Sequence, residues 1–192
     1  MAQPKPNILA LSGSLRKESY NTAILVSLGE AVADKATLTV FPLNDIPLYN
    51  QDLDTDTPPA AVTAFRDAIR ETDGLVIASP EYNYGMSGVL KNALDWASRP
   101  YGKSAMTGKP VLTLSSSPAF TGGARAQGQL NEILIAMSSE LVLRPQTVIA
   151  AAHQKITDGK LTDEQTLTFL SAGIDDLIRN IRHRASAIQQ EA

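Results

Sequence analysis

The sequence predicts an α/β fold: a doubly wound parallel sheet with helices on both faces. Three observations carry it. Short apolar runs alternate with segments of helical spacing along the chain. Two of the runs, NILAL and GLVIAS, read as buried strands, and the alternation of strand and helix implies a parallel sheet covered on both faces. The runs stop at Ser-Gly or Pro, where the chain turns before its next element.

The elements follow in order. Asn7–Leu11 (NILAL) is the first strand, ended by Ser12 and Gly13. Asn21–Ala33 sets Ala23, Ile24, Leu28, Ala31 and Val32 at helical spacing. Thr37–Phe41 (TLTVF) is rich in β-formers and stops at Pro42. Asn44–Pro59 carries Pro47, Pro58, Pro59 and several aspartates. It reads as a loop whose last prolines open a helix over Ala60–Glu71. Gly74–Ser79 (GLVIAS) is the third strand, stopped by Pro80. Gly88–Ser98 is a helix with Val89, Leu90, Ala93, Leu94 and Ala97 on one side. Val111–Ser115 is the fourth strand and Ala124–Met137 the fourth helix. Leu141–Leu143 and Val148–Ala150 share the last strand position around Pro145. Thr162–Ile188 is a long helix in which Leu167, Leu170, Ile174, Leu177, Ile178 and Ile181 recur at helical spacing. No repeat or linker interrupts the pattern, so residues 1–192 read as one domain with right-handed crossovers.

The bulk numbers narrow the function classes. A chain of 192 residues should bury about 70% of the surface its unfolded form exposes, so it needs no disulfide or metal to fold. A hydrophobic share of 43% against a charged share of 19% argues against disorder. Net charge is -3, and the 17 basic residues form no run, which excludes an obvious nucleic-acid surface. The absence of cysteine excludes disulfide frameworks, thiolate metal sites, iron–sulfur clusters and a redox dithiol. Met1–Pro6 is short and polar, without the features of a signal peptide, and no apolar run is long enough for a membrane helix. A cytoplasmic protein without membrane or nucleic-acid partners is expected.

In an open parallel sheet, ligands bind beyond the carboxyl ends of the strands, where the strand order reverses. Three loops there are chemically unusual. The first, Ser12–Asn21, gathers the hydroxyls of Ser12, Ser14 and Ser19, the Asn21 amide, Arg16 and free N–H groups around Leu15 ahead of a helix. A helix N-terminus favours a phosphate. With one glycine the loop matches neither G-x-G-x-x-G nor a P-loop, which favours a mononucleotide over a dinucleotide. The second, Pro80–Gly88, holds Glu81, Tyr82, Asn83, Tyr84 and Gly85: planar side chains and exposed amides suited to the face and polar edge of a flat heterocycle. The third, Ser115–Arg125, offers Ser115 and Ser117 and a Gly122-Gly123 pair that permits close approach. Taken singly, the first is also readable as a capped turn, the second as a tyrosine-rich turn packed on its own helix, and the third reads first as a flexible Gly/Ser loop. In the flavodoxin-like strand order 2-1-3-4-5, strands one and three flank the switch point, which sets a phosphate loop beside a ring loop: the outline of FMN.

Other chemistries fit less well. His153 reads as a surface loop residue and His183 as lying on the polar face of the last helix. No serine–histidine elbow and no metal-ligand cluster is present. Asp34, Asp45, Asp52, Asp54 and Asp56 read as solvated loop carboxylates. Flavin chemistry needs no catalytic side chain, because the cofactor carries the hydride.

At LSGSLRKESYN (Leu11–Asn21), SPEYNYGMSGVLKNALDW (Ser79–Trp96) and the SSS…GGAR segment (Ser115–Arg125), the chain resembles the NADPH-dependent FMN reductases, a family that includes quinone, chromate and azo-dye reductases. The layout from about Pro6 to Leu143 agrees as well. The resemblance implies a flavodoxin-like five-stranded fold, non-covalent FMN, NADPH or NADH as donor, and a homodimer or homotetramer. It implies phosphate contacts from Ser14, Arg16, Ser19 and Asn21. It implies an isoalloxazine lined by Glu81, Tyr82, Asn83 and Tyr84, largely through backbone groups, with Ser117 near it. Arg125 would lie near a subunit contact; the helix bearing Leu90, Leu94 and Trp96 is expected to form one. Expected acceptors are quinones, free flavin, azo compounds and metal oxyanions such as chromate. The rival reading is a flavodoxin-type electron carrier without its own substrate.

Overall fold

The computed structural model describes residues 4–191; Met1–Gln3 of the polar N-terminus and Ala192 lie outside the described residues. Its strands are β1 (Asn7–Ser12), β2 (Thr37–Phe41), β3 (Gly74–Ser79), β4 (Glu81–Tyr82), β5 (Gly85–Met86), β6 (Pro110–Ser116), β7 (Glu140–Leu141), β8 (Val148–Ile149), β9 (Ile156–Thr157) and β10 (Lys160–Leu161). Its helices are α1 (Tyr20–Ala31), α2 (Ala60–Glu71), α3 (Gly88–Ala97), α4 (Ala124–Ala136), α5 (Ala152–Lys155) and α6 (Glu164–Glu191). The main sheet is parallel throughout in the order β2-β1-β3-β6-β7, with β8 also beside β6. Counting β6 as the fourth strand, this is the expected 2-1-3-4-5.

The apolar runs divide their side chains between two layers. Ile8, Ala10, Val76, Ala78, Leu112 and Leu114 pack with Ile24, Leu25 and Leu28 of α1 and Leu170, Ile174 and Leu177 of α6. The alternate residues Leu9, Leu11, Leu75, Ile77 and Val111 pack with Phe65 and Ile69 of α2, Leu90 and Leu94 of α3, and Leu130 and Leu134 of α4. With both faces covered, the central strands β1 and β3 are apolar along most of their length and show no period of two, whereas edge strand β2 leaves Thr37 and Thr39 exposed.

Four expectations change. The fifth strand position is broken: β7 pairs with Pro110 and Val111, β8 with Ser115 and Ser116, and Leu143 between them is 98% exposed. Pro145 lies in that break and has no N–H to give a ladder. Leu90, Leu94 and Trp96 are buried within their own chain, so they form no subunit contact. The Trp96 indole N–H donates to the Pro47 carbonyl at 2.8 Å, and its ring meets Tyr49 edge-on. Asp54 is not a solvated carboxylate. It accepts from buried Arg66 Nη2 at 2.8 Å, while Arg66 Nε donates to the Trp96 carbonyl at 3.0 Å. His153 lies exposed in α5 rather than in a loop, and His183 is exposed on α6. The two-residue strands β4, β5, β9 and β10 and the one-turn α5 are too short to show a period in sequence.

Candidate active site

Loops one to three meet beyond the ends of β1, β3 and β6. Gly13 lets the first two touch: its N–H donates to the Ala78 carbonyl at 2.8 Å, and a Cβ there would stand 2.8 Å from Ser87 Oγ and 3.0 Å from Pro80 Cδ. Ser87 is not free to move aside, because its hydroxyl caps α3 by accepting from Leu90 N–H.

Loop one is built around the start of α1. Ser19 caps it, accepting from Thr22 N–H at 3.2 Å, and no acidic residue sits in the first turn. The positive end of the helix dipole is therefore unneutralised. Ser12 is an internal post: its hydroxyl accepts from Thr22 Oγ1 at 2.8 Å and from Ser14 N–H at 3.4 Å. Ser14 Oγ in turn accepts from Arg16 N–H at 3.4 Å. The Arg16 guanidinium lies 5.7 Å from the Tyr20 ring centroid and has no carboxylate partner among the described residues.

Loop two is a hairpin. Glu81 pairs with Met86 and Tyr82 with Gly85, leaving Asn83 and Tyr84 as the two turn residues at φ 51° and 67°. Positive φ at both turn positions suits the twist of a two-residue hairpin. Asparagine adopts it readily and tyrosine rarely, so the surroundings must hold Tyr84 there. The Arg125 guanidinium stacks on its ring at 4.3 Å. Gln129 Oε1 accepts from Met86 N–H at 2.8 Å. The Glu81 carboxylate turns to α4, accepting from Arg125 N–H at 3.0 Å and Ala126 N–H at 3.2 Å.

Loop three is braced from within. The buried Ser115 hydroxyl donates to the Gly122 carbonyl at 2.9 Å, and Ser117 Oγ accepts from Ala119 N–H at 3.1 Å. Ser117 N–H donates to Ile149 of β8 at 3.1 Å.

A cavity of about 160 Å³ joins the three loops. Ser14, Arg16, Ser19 and Asn21 border it from loop one, Pro80, Glu81 and Tyr82 from loop two, and Ser117 from loop three. Ser12, Leu15, Asn83, Tyr84, Gly85 and Ser115 lie off it. Ser12 and Ser115 are spent on internal hydrogen bonds, and Leu15 points to solvent. Ser116, Pro118 and Tyr20 also border it and were missed. The Ser115–Ser117 run flagged a polar strand end, but only the side-chain alternation of β6 tells which serine turns to the cavity. A larger hollow of about 560 Å³ shares Ser19 and Tyr20 and extends along α1 to Ile156 and Gly159. The smaller cavity is the better candidate, because Asn21 Oδ1 and Ser116 Oγ are buried on it without a partner among the described residues. Buried polar atoms are rarely left unpaired unless a ligand or water completes them.

These residues fit FMN. Ribityl hydroxyls can donate to Asn21 Oδ1 and exchange hydrogen bonds with Ser116, and the start of α1 with Arg16 suits the phosphate.

A family model described as "NADPH-dependent FMN reductase" matches residues 6–154. A quinone reductase of Pseudomonas putida is 36% identical over 169 residues, covering 88% of this chain and 91% of that protein. An NAD(P)H-dependent FMN reductase of Pseudomonas aeruginosa is 37% identical over 179 residues, covering 91% and 96%. The structure of the flavoenzyme NAD(P)H:(acceptor) oxidoreductase FerB from Paracoccus denitrificans superposes with a TM-score of 0.83 at 32% identity, covering 93% of this chain and 98% of that one. The match spans all three loops and the whole switch point, and the chain belongs to the NADPH-dependent FMN reductase family.

Proposed function

We propose that this chain holds FMN in the cavity at the ends of β1, β3 and β6 and passes electrons from NADPH or NADH to small acceptors, quinones foremost. The observation that carries the reading is the pairing of the uncompensated α1 N-terminus with the orphaned Asn21 and Ser116 oxygens on one cavity. Ser14, Arg16 and Ser19 take the phosphate, while Asn21 Oδ1 and Ser116 Oγ meet the ribityl hydroxyls. The backbone of Pro80–Gly85 meets the polar edge of the ring, with Ser117 beside it. Ser12 and Ser115 act as braces of the loops rather than as ligands. When bound, FMN takes a hydride from a reduced nicotinamide and returns the electrons to an acceptor. The chain's share is binding, orientation and access. Tyr82 borders the cavity and is exposed, as are Tyr84 and Phe120 of loops two and three. A planar, apolar rim with no polar set matched to one substrate accepts many flat molecules.

The same proposal makes the protein a single-domain, cytoplasmic homodimer or homotetramer. No helix of the described residues is long and apolar enough to cross a membrane. Light scattering should give twice or four times the 20.5 kDa chain mass; the chain mass itself would refute assembly.

The purified protein should be yellow, release FMN on denaturation and bleach on adding NADPH or NADH. Initial rates across a quinone series should give parallel lines. Failure to take up FMN overturns the reading. Flavin reducible by dithionite but by neither nicotinamide would instead make the chain an electron carrier.

A further inference from the structure

Helix α4 begins at Ala124 with Gly123 in the N-cap position, and glycine has no side chain to receive the first-turn N–H groups. The acceptor comes from 44 residues earlier in the chain: Glu81 Oε2 takes both the Arg125 and the Ala126 N–H. Glu81 Oε1 lies 3.5 Å from Arg125 Nη1, and that guanidinium covers Tyr84 of the hairpin turn. A carboxylate is well placed at a helix N-terminus, where the dipole favours negative charge. Gly123 itself has φ 88°, and a Cβ there would stand 3.0 Å from Ser115 Cβ and 3.6 Å from Glu81 Cβ. Loops two and three are thus clasped together at the end of α4, with Glu81 as the clasp and Gly123 as the room for it.

We propose that Glu81 is a positioning residue of the reaction, acting through α4 rather than on the flavin. The proposal rests on the reading that the flavin ring lies against loop two. The Asn83–Tyr84 turn holds two positive φ angles, and at Tyr84 its surroundings maintain the conformation. Its ties to α4 are the Glu81 cap, the Gln129 bond to Met86 and the Arg125–Tyr84 stack. Losing the cap releases the turn and with it the backbone groups that face the ring. What the clasp needs from Glu81 is an acceptor oxygen, not a transferable proton, so an amide can replace it.

The test uses the FMN-loaded enzyme and the variants Glu81→Ala, Glu81→Gln and Gln129→Ala, with FMN and riboflavin as ligands. Glu81→Ala should weaken both ligands by the same factor, roughly 2- to 30-fold, the range of a lost helix cap. It should also shift the visible bands of bound flavin and slow its reduction by NADPH. Glu81→Gln should restore all three readouts most of the way. Gln129 is exposed on α4, so its alanine variant will fold, and it should move the same readouts by less. A Glu81→Ala protein with a lower melting temperature but unchanged spectrum and reduction rate overturns the proposal, leaving a plain structural cap. A Glu81→Gln protein as damaged as alanine also overturns it, because an acceptor oxygen at the cap would then not be what the site needs from Glu81. If Glu81→Ala does not fold, an unchanged spectrum in Gln129→Ala overturns it. A wild-type protein that takes up no FMN refutes the underlying site before any variant is made.

Discussion

Loop one and loop two border the same cavity but are held in opposite ways. In loop one two groups on the cavity are uncommitted: Arg16 has no carboxylate partner among the described residues, and Asn21 Oδ1 is buried and unpaired. In loop two the corresponding groups are tied off, with Glu81, Tyr84 and Met86 each bound to a residue of α4. A phosphate carries its own charge and hydrogen-bond capacity, so a loop that receives it can leave donors waiting. A flat ring offers fewer strong contacts, so the loop that receives it must be shaped beforehand.

The sharpest test of the contrast is Arg16→Ala. It should weaken FMN by about 1.5–3 kcal/mol, the scale of a charge-assisted hydrogen bond, and leave riboflavin nearly unchanged. Equal losses for the two ligands would show that Arg16 does not meet the phosphate. Gly123→Ala strikes, from loop three, the clasp that holds loop two. With φ 88° and Ser115 Cβ 3.0 Å from the new methyl, it should cost about 1–3 kcal/mol of stability by chemical denaturation. It should weaken FMN and riboflavin alike; selective loss of FMN would break the division of labour between the loops. Ser19→Ala removes the cap of α1, a loss of about 1 kcal/mol in stability. It lies on the cavity as well, so FMN should again suffer more than riboflavin.

The smallest effect lies at a cap remote from the ligand. Asp163 accepts from Thr166 N–H at 2.9 Å at the start of α6. The Thr166 hydroxyl first, and then Lys155, hold its carboxyl down to about 2 from an ordinary 3.8. A lowered carboxyl value stabilises the fold fully above 3.8 and loses that contribution as pH falls towards about 2. Melting temperature should therefore decline across this window, and less steeply in Asp163→Asn. Identical slopes would remove Asp163 from the acid response. FMN affinity of the variant at neutral pH should match the parent, which separates a remote cap from the Glu81 clasp.

Much of this was legible in the sequence. Gly74–Ser79 announces itself because a strand buried on both faces is apolar along most of its length, while the partly exposed edge strand Thr37–Phe41 shows in its β-formers and the Pro42 stop. The three loops were recognisable because Gly13, Pro80 and the Ser115–Ser117 run sit where strands end. Whether a residue faces the ligand or its own scaffold was not legible. Ser115 and Ser116 are chemically alike, yet one hydroxyl is spent on Gly122 and the other is unpaired on the cavity. Glu81 stands in the most distinctive segment, but its partner is a pair of N–H groups more than forty positions away, and a contact of that range leaves no local pattern. Trp96 and Asp54 were misread for the same reason: Arg66, which joins them, lies on another helix.

The broken edge of the sheet bears on how copies of this chain can meet. An edge strand with a continuous row of free amides is a template for another chain's strand. Here β7 and β8 are two residues each, the segment between them contains Pro145, and Gln127 Nε2 already occupies the Thr113 carbonyl at 3.0 Å. The row is too short and too interrupted to recruit a neighbour into a longer sheet. Association through side chains remains open to the protein, while the route that leads from a parallel sheet to fibrous aggregation is closed at this edge.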